Sequence, residues 1–377
     1  MGNVPNLRFP EFTEVWKVER LDEIATLSKG VGISKEQLSN DGEPCILYGE
    51  LYTKYKSEII KEIDSRTNID NSKLKRSKAN DVIIPCSGET AIDIATARCV
   101  PFDNILLGGD LNIISLYQYD GAFMSYQLNG KRKYDIAKVA QGVSVVHLYG
   151  EHLKAIFTYN PCLQEQQKIA QILSLLDERI ATQNKIIEDL KKLKSAIYQE
   201  MFSNLQGEEC SLSDLVEIIK GQQINGSELR DSGKYYVMNG GIAPSGYYDS
   251  YNTEADTISI SEGGNSCGYV QYNSSEFWSG GHCYTLRIKP TSSIATHFLF
   301  HYLKWKEPDI MALRIGSGLP NIQKKDLSKV SIIVPTLDKQ LQLTVLLSAF
   351  KKKIENEEMY ITNSDKQKQY LLQQMFI

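Results

Sequence analysis

His297 and His301 stand four residues apart, a spacing that puts two imidazoles on one helix face, where they can share a zinc ion. No third ligand accompanies them. The matching positions 174 residues earlier hold Phe123 and Gln127, so a hydrogen-bonded pair on a domain helix is the better reading. Tyr159-Asn160-Pro161-Cys162 has part of the Asn-Pro-Pro-aromatic pattern of adenine methyltransferases but lacks the second proline and the aromatic. It reads instead as a strand end running into a helix. There is no GxxxxGK[ST] loop to cradle a nucleotide phosphate and no GxGxxG after a strand, which argues against a nucleotide-driven motor and a dinucleotide-binding fold. Five histidines without a repeated partner supply no nucleophile-base pair. The expectation is a chain with no catalytic residues, no metal site and no cofactor of its own.

Recognition chemistry is better represented. Basic residues interleaved with Tyr, Asn and Ser suit phosphate contact combined with hydrogen bonds to base edges. In the first half these are Tyr48, Lys73, Lys75, Arg76 and Lys78, then Ser87 and Thr90 after a β-rich run, then Lys131, Arg132, Lys133 and Ser144. In the second half they are Tyr235, Tyr236, Asn239, Tyr247 and Tyr248, then Ser261 and Asn265 after the equivalent run, then Ser317, Asn321, Lys324 and Lys325. The same pattern would also suit a carbohydrate surface.

The elements that must position these groups occur twice. Residues 142–202 lie over 316–376 by a constant shift of 174 without a gap: Gly142 on Gly316, Pro161 on Pro335, Leu173 on Leu347, Lys194 on Lys368. Upstream, Leu21 through Lys29-Gly30 matches Leu212 through Lys220-Gly221, and Asp81 through Gly88 matches Asp256 through Gly263. The first copy is sixteen residues longer between Gly30 and Asp81, so the copies agree in their frame and diverge in that stretch. Val82-Ile83-Ile84, Asn112-Ile113-Ile114, Thr257 to Ile260 and Tyr284 to Ile288 read as strands. Helical patterns lie near Leu21–Leu27, Ala122–Leu128, Leu212–Ile219 and His297–Leu303.

After each proline comes one long helix, a position where proline is tolerated. In the first, Ile169, Leu173, Leu176, Ile180, Gln183, Ile187, Leu190, Lys194, Ile197 and Met201 alternate spacings of four and three. In the second, Leu343, Leu347, Phe350, Ile354, Glu357, Ile361, Ser364, Lys368, Leu371 and Met375 do the same. Both are heptad seams, and the expectation is that the two helices pair antiparallel. At about 1.5 Å per residue each runs roughly 60 Å, longer than one lobe needs for its core. The fold class is therefore α+β: two tandem α/β lobes related by internal pseudo-two-fold duplication and separated by two long antiparallel helices forming a coiled coil. The expected boundaries are 1–160 for the first lobe, 161–204 for the central helix, 205–334 for the second lobe and 335–377 for the C-terminal helix.

Composition sets the wider frame. At 377 residues, 42% hydrophobic and 23% charged, the chain is an ordinary multi-domain globular protein. The start lacks an apolar run and no window is long enough to span a bilayer, so a cytoplasmic protein without membrane contact is expected. Seven scattered cysteines without a CxxC pair fit reduced core residues. A net charge of -4 is unusual for a stand-alone nucleic-acid binder; if DNA is the ligand, basic residues are segregated or a partner supplies phosphate contacts.

The order lobe, helix, lobe, helix, together with Leu21-Asp-Glu-Ile through Gly30 and its copy, Gln141 to Ser144 with Gly316-Ser317-Gly318, Gln164 to Ala170, Glu262 to Asn265 and Phe277-Trp278, resembles the DNA-specificity subunit of type I restriction-modification systems. The second long helix departs at its start, with Lys339 where Glu165 stands. The resemblance implies two target-recognition domains, each reading half of a bipartite asymmetric site in double-stranded DNA. It implies helices that set the unread spacer and bind two modification subunits, adenine methyltransferases that carry S-adenosylmethionine. Restriction subunits, which translocate and cut DNA with ATP and magnesium, would join that complex. Alternatives remain: an orphan DNA-recognition protein without enzyme partners, a tandem carbohydrate-binding or scaffold protein, and, less well supported, a solitary methyltransferase.

Overall fold

A computed structural model describes residues 3–70, 72–142, 145–316 and 318–377; Ser144 and Ser317 lie outside the described residues. The chain divides into two compact units, Met1–Lys185 with Met359–Ile377 and Ile186–Glu358. Each therefore holds one lobe and a stretch of both long helices.

The first unit is built on a four-stranded antiparallel sheet ordered Ala25–Lys29, Leu111–Leu116, Asp81–Pro85, Arg98–Val100. Successive side chains of a strand point to opposite faces. Val82, Ile84 and Ile114 join one buried cluster, while Ile83, Leu111 and Ile113 join another. Both faces are covered, which is why these strands are continuous apolar runs. A smaller sheet brings Leu106–Leu107 parallel to Glu43–Ile46 and antiparallel to Lys75–Arg76.

The second unit repeats the frame. Its sheet is ordered Val216–Lys220, Cys283–Ile288, Thr257–Ser261, Val270–Asn273, again antiparallel. Here the alternation Thr-Ile-Ser-Ile-Ser has a direct reading. Ile258, Ile260 and Leu286 enter the core, whereas the Ser259 hydroxyl on the other face accepts from Asn273 Nδ2 at 2.9 Å. A smaller sheet pairs Tyr235–Met238 with Gly246–Tyr248 and, in parallel, with Trp278–Ser279.

Two expected helices are shorter than the sequence pattern suggests. Helix covers only Leu21–Ile24, after which Ala25–Lys29 is a strand; likewise Leu212–Leu215 gives way to Val216–Lys220. Pairing with the central strand of each sheet outweighs local helical preference there. The repeated Lys-Gly pairs end these strands for a steric reason. A Cβ on Gly30 would lie 1.9 Å from the Gly108 carbonyl oxygen, and one on Gly221 2.2 Å from that of Gly280. Gly221→Ala is therefore expected to destabilise the protein by about 1–3 kcal/mol through overpacking. An unchanged urea midpoint would contradict this close approach.

The long helices run Leu163–Ser203 and Leu337–Gln374. In the first unit Ile169 and Leu173 share a buried cluster with Leu372, Met375 and Phe376, and four residues further on Asp177 meets Lys368. One number rises as the other falls, so the helices are antiparallel. In the second unit Lys191 pairs with Glu358 at 2.7 Å, while Tyr198 and Phe202 share a core with Leu343 and Leu347, the same sense. Leu176, Ile187 and Ile354 are buried, and Ile180, Leu190, Ile197, Phe350, Ile361 and Leu371 half-buried. Beside Ile197 and Leu371, the more buried residues are Tyr198 and Leu372, one position later. A helix of 3.6 residues per turn drifts in this direction from a strict 3.5-residue seam.

Lys368 lies in the seam of the first unit, nine-tenths buried. Its ammonium lies 2.6 Å from both Glu58 and Asp177, and Asp177 also accepts from the Tyr126 hydroxyl at 2.6 Å and from Ser57 at 3.0 Å.

Candidate nucleic-acid interface

In each unit the central sheet ends in a polar loop that is clasped by a hairpin from the segment before the long helix. In the first unit Ser87-Gly88 pairs with Val146-His147, and Gln141 and His147 exchange backbone hydrogen bonds of 2.9 and 2.7 Å. Gly142 turns the chain with φ +123, a conformation open to glycine and strained for other residues. In the second unit Ile315 and Asn321 exchange the equivalent bonds, at 2.8 and 2.9 Å, and Gly316 has φ +99. The Gly264 amide donates to Pro320 and that of Ile322 to Glu262, fixing this hairpin to the Glu262–Asn265 loop. Glu262 is itself held by Lys220 at 2.8 Å and by the Tyr284 hydroxyl at 2.9 Å.

These hairpins carry two exposed apolar residues that composition and spacing do not mark. Val145 is 52% exposed and Leu319 84% exposed, and they are 174 positions apart. An apolar tip on a polar rim suits contact with a thymine methyl or with an opened base step. The sequence signal was one apolar residue three positions after a repeated glycine, too small to have a periodicity.

The selected residues divide into two groups. Tyr48 is exposed and lines a cleft of about 620 Å³ with Tyr52, Ser87, Arg98 and Val145. The Ser87 hydroxyl, however, donates to Asp110 at 3.0 Å, so it serves the loop's own structure. Thr90 is exposed and caps the Ala91–Ile94 helix through the Asp93 amide. Lys73 and Lys78 are exposed and Lys75 half-buried, whereas Arg76 is drawn to Glu43 at 2.6 Å. Of the basic triplet, Lys131 is exposed. Arg132 bonds Asp135 and the carbonyl of Ile377 and covers the Tyr159 ring. Lys133 is half-buried, and burial, then Arg98, lowers the pKa of its amine.

In the second unit Asn265, Asn321, Lys324 and Lys325 are exposed on or beside the hairpin. The Ser261 hydroxyl donates to the Gly240 carbonyl at 2.6 Å, beneath the loop. Tyr235 is buried against Tyr251, and Tyr236 stacks on Phe277 and donates to Asn273. Tyr247 and Tyr248 are half-buried on the neighbouring strand, with Tyr248 edge-on to Trp278. Asn239 accepts from the His282 amide at 3.1 Å. The structure thus gathers Tyr48 and Val145 in one unit and Asn265, Leu319 and Asn321 in the other, leaves Thr90 to cap a helix, and turns Tyr235, Tyr236 and Arg132 toward packing.

Residues weighed for catalysis hold structural places. Asn160 ends the Phe157–Asn160 strand and donates to Glu19 and Thr158. His301 is buried between the Tyr198 hydroxyl and Ser348, and burial, then the charge of Lys194, lowers its pKa to about 4. His297 is exposed against Tyr272. Among the described residues no group of three or more His, Cys, Asp or Glu could hold a metal, and no helix is long and apolar enough to cross a membrane. Cys45, Cys86, Cys99, Cys267 and Cys283 are buried free thiols, while Cys162 is exposed.

Comparison with known proteins adds four likenesses. The sequence pattern described as type I restriction modification DNA specificity domain matches residues 13–192 and 206–364. A Mycoplasma pneumoniae protein named as a type I specificity subunit is 35% identical over 147 residues, and one from Mycoplasma genitalium 30% identical over 155. The aligned stretches are 39% and 41% of this chain and span only 39% and 40% of those relatives. The crystal structure of a type I restriction-modification S subunit from M. genitalium superposes with a TM-score of 0.70 at 21% identity, covering 99% of each chain.

Proposed function

The chain belongs to the type I restriction-modification DNA specificity family, and on that premise we propose that each unit reads one half of a bipartite, asymmetric site in double-stranded DNA. The chain supplies recognition, and the chemistry comes from other subunits. Two modification subunits, carrying S-adenosylmethionine, bind along the long helices and methylate adenines. Restriction subunits join them with ATP and magnesium. The helix pair sets the length of the unread spacer. The domain boundaries at 160, 204 and 334 mark this division between reading lobes and spacer helices.

The observation that carries the reading is the duplicated rim. The same hairpin, with a left-handed glycine and an exposed apolar tip, clasps the same sheet-end loop in both units. The stretches beside it differ: a five-stranded sheet whose edge strand carries Lys75, with Lys73 and Lys78 flanking it, in one, a tyrosine-rich three-stranded sheet in the other. A common frame with different surroundings suits two sites of one chemical kind and unlike sequence. Linkage of two readers in one chain raises the effective concentration of the second contact.

Binding of the purified chain, with its modification subunits, to its methylated site measures this. Affinity should fall steeply as salt rises, because phosphate neutralisation releases counterions. Leu319→Asp should weaken binding by about 1–3 kcal/mol, the scale of one base-pair contact, with Leu319→Ala losing less. Salt-independent binding would favour a carbohydrate or scaffold role. Unaltered affinity in a folded Leu319→Asp protein would remove the hairpin from the interface.

A further inference from the structure

The second unit contains a cavity of about 570 Å³ lined by both long helices and the segment around Lys304 to Pro308. Four lysines face it, Lys191, Lys194, Lys304 and Lys351, against Glu307 and Glu355. Three of the lysines have carboxylate partners: Lys191 with Glu358 at 2.7 Å, Lys304 with Glu307 at 2.5 Å and Lys351 with Glu355 at 3.7 Å. Lys194 has none among the described residues, and its ammonium lies 5.4 Å from the centre of the Tyr198 ring. Burial, then the like charges of Lys304 and Lys351, holds its amine below the ordinary lysine value, against the opposing charge of Glu355.

The duplication shows what is missing. Lys194 corresponds to Lys368, which in the first unit lies 2.6 Å from both Asp177 and Glu58. The counterpart of Asp177 is Lys351, so an acid has been replaced by a second base. Glu58 comes from the Gly30–Asp81 stretch, which is sixteen residues shorter in the second copy. A half-buried ammonium without a directly bonded carboxylate is unfavourable. Where one unit places two carboxylates in contact with the lysine, the other leaves an open space and a lysine with no carboxylate in direct contact among the described residues.

We propose that this cavity is a binding site for a multivalent oxyanion, whose oxygens take the places of the missing Asp177 and Glu58 equivalents. Lysine offers such a ligand a compact charge and rotatable donors, and charge-assisted hydrogen bonds are the strong kind. The oxygens can be those of a free phosphate compound or of clustered carboxylates on a polypeptide. Because the lysines stand on both long helices, occupancy ties the helix pair together in this unit. The site does not depend on the DNA reading proposed above.

Thermal unfolding of the full chain, with pyrophosphate or a triglutamate peptide added at fixed ionic strength and potassium chloride as the control, tests this. A ligand that binds only the folded state raises the midpoint. The midpoint should rise with one or both ligands and not with chloride. Lys194→Met should abolish the rise while leaving the ligand-free protein as stable as before or more so, and Lys352→Met, on the exposed side of the helix, should keep it. A Lys194-dependent rise with pyrophosphate identifies phosphate chemistry, and one with the peptide identifies carboxylates of a polypeptide; either supports the site. No rise with either ligand, an equal rise with chloride, or an equal rise in Lys194→Met overturns it.

Discussion

Lys368→Met is expected to destabilise the first unit by about 3–5 kcal/mol at neutral pH, the scale on which removing one member of a buried ion pair is felt. Lys368 is the one cation bonded to Glu58 and Asp177 among the described residues, and both acids are buried. Methionine keeps much of the volume and leaves two carboxylates side by side in the interior. The pH dependence has a definite sign. Burial raises the Glu58 pKa, Lys368 lowers it and Asp177 raises it again, with a net increase over the ordinary glutamate value. A group whose folded pKa is raised contributes stability that is fully present below its unfolded pKa and lost as pH rises through the folded value. Removing Lys368 raises that folded value further. The deficit should therefore be largest near pH 7.5 and shrink toward pH 5, as Glu58 takes up a proton. Urea unfolding of both proteins at the two pH values measures it. A deficit below about 1 kcal/mol, or one that grows on acidification, would contradict the buried triad. The corresponding change in the second unit, Lys194→Met, is expected to cost no stability without ligand, because the lysine it removes has no carboxylate bonded to it among the described residues.

The frame of this protein is legible in its sequence because its signals are periodic or repeated. The 174-residue shift, the prolines before each long helix and the four-three seam from Ile169 and Leu343 onward each repeat one physical requirement many times. The strands at Val82 and Ile258 are equally plain, and even the difference between them, a two-sided apolar run against strict alternation, follows from what covers each face. The short helices are less legible because Ala25–Lys29 and Val216–Lys220 take their conformation from partner residues 64 to 91 positions away. Site residues were harder for a related reason. Composition identifies a hydroxyl or a ring but not its direction. Ser87 and Ser261 turn theirs to Asp110 and Gly240, and Tyr236 lies flat on Phe277. Arg132 has the character of a phosphate contact, yet it donates to the backbone oxygen of Ile377. Lys194 and Lys368 are identical in type and repeat position and differ only in residues brought from elsewhere, Glu58 above all.

The central claim is that each lobe, and not the helix pair, decides which bases its half of the DNA site contains. Exchange of residues 1–160 for the equivalent lobe of a relative, followed by genome-wide mapping of methylated adenines in cells supplying the modification subunits, measures it most directly. The exchanged segment carries the Tyr48 cleft, the lysines at 73, 75 and 78 and the Gln141–His147 hairpin, and leaves both long helices and the Ile315–Asn321 hairpin intact. The expected result is a methylated site in which one half-sequence is new while the other half and the spacer length are unchanged. A site whose spacer alone has changed, with both half-sequences retained, would contradict the account.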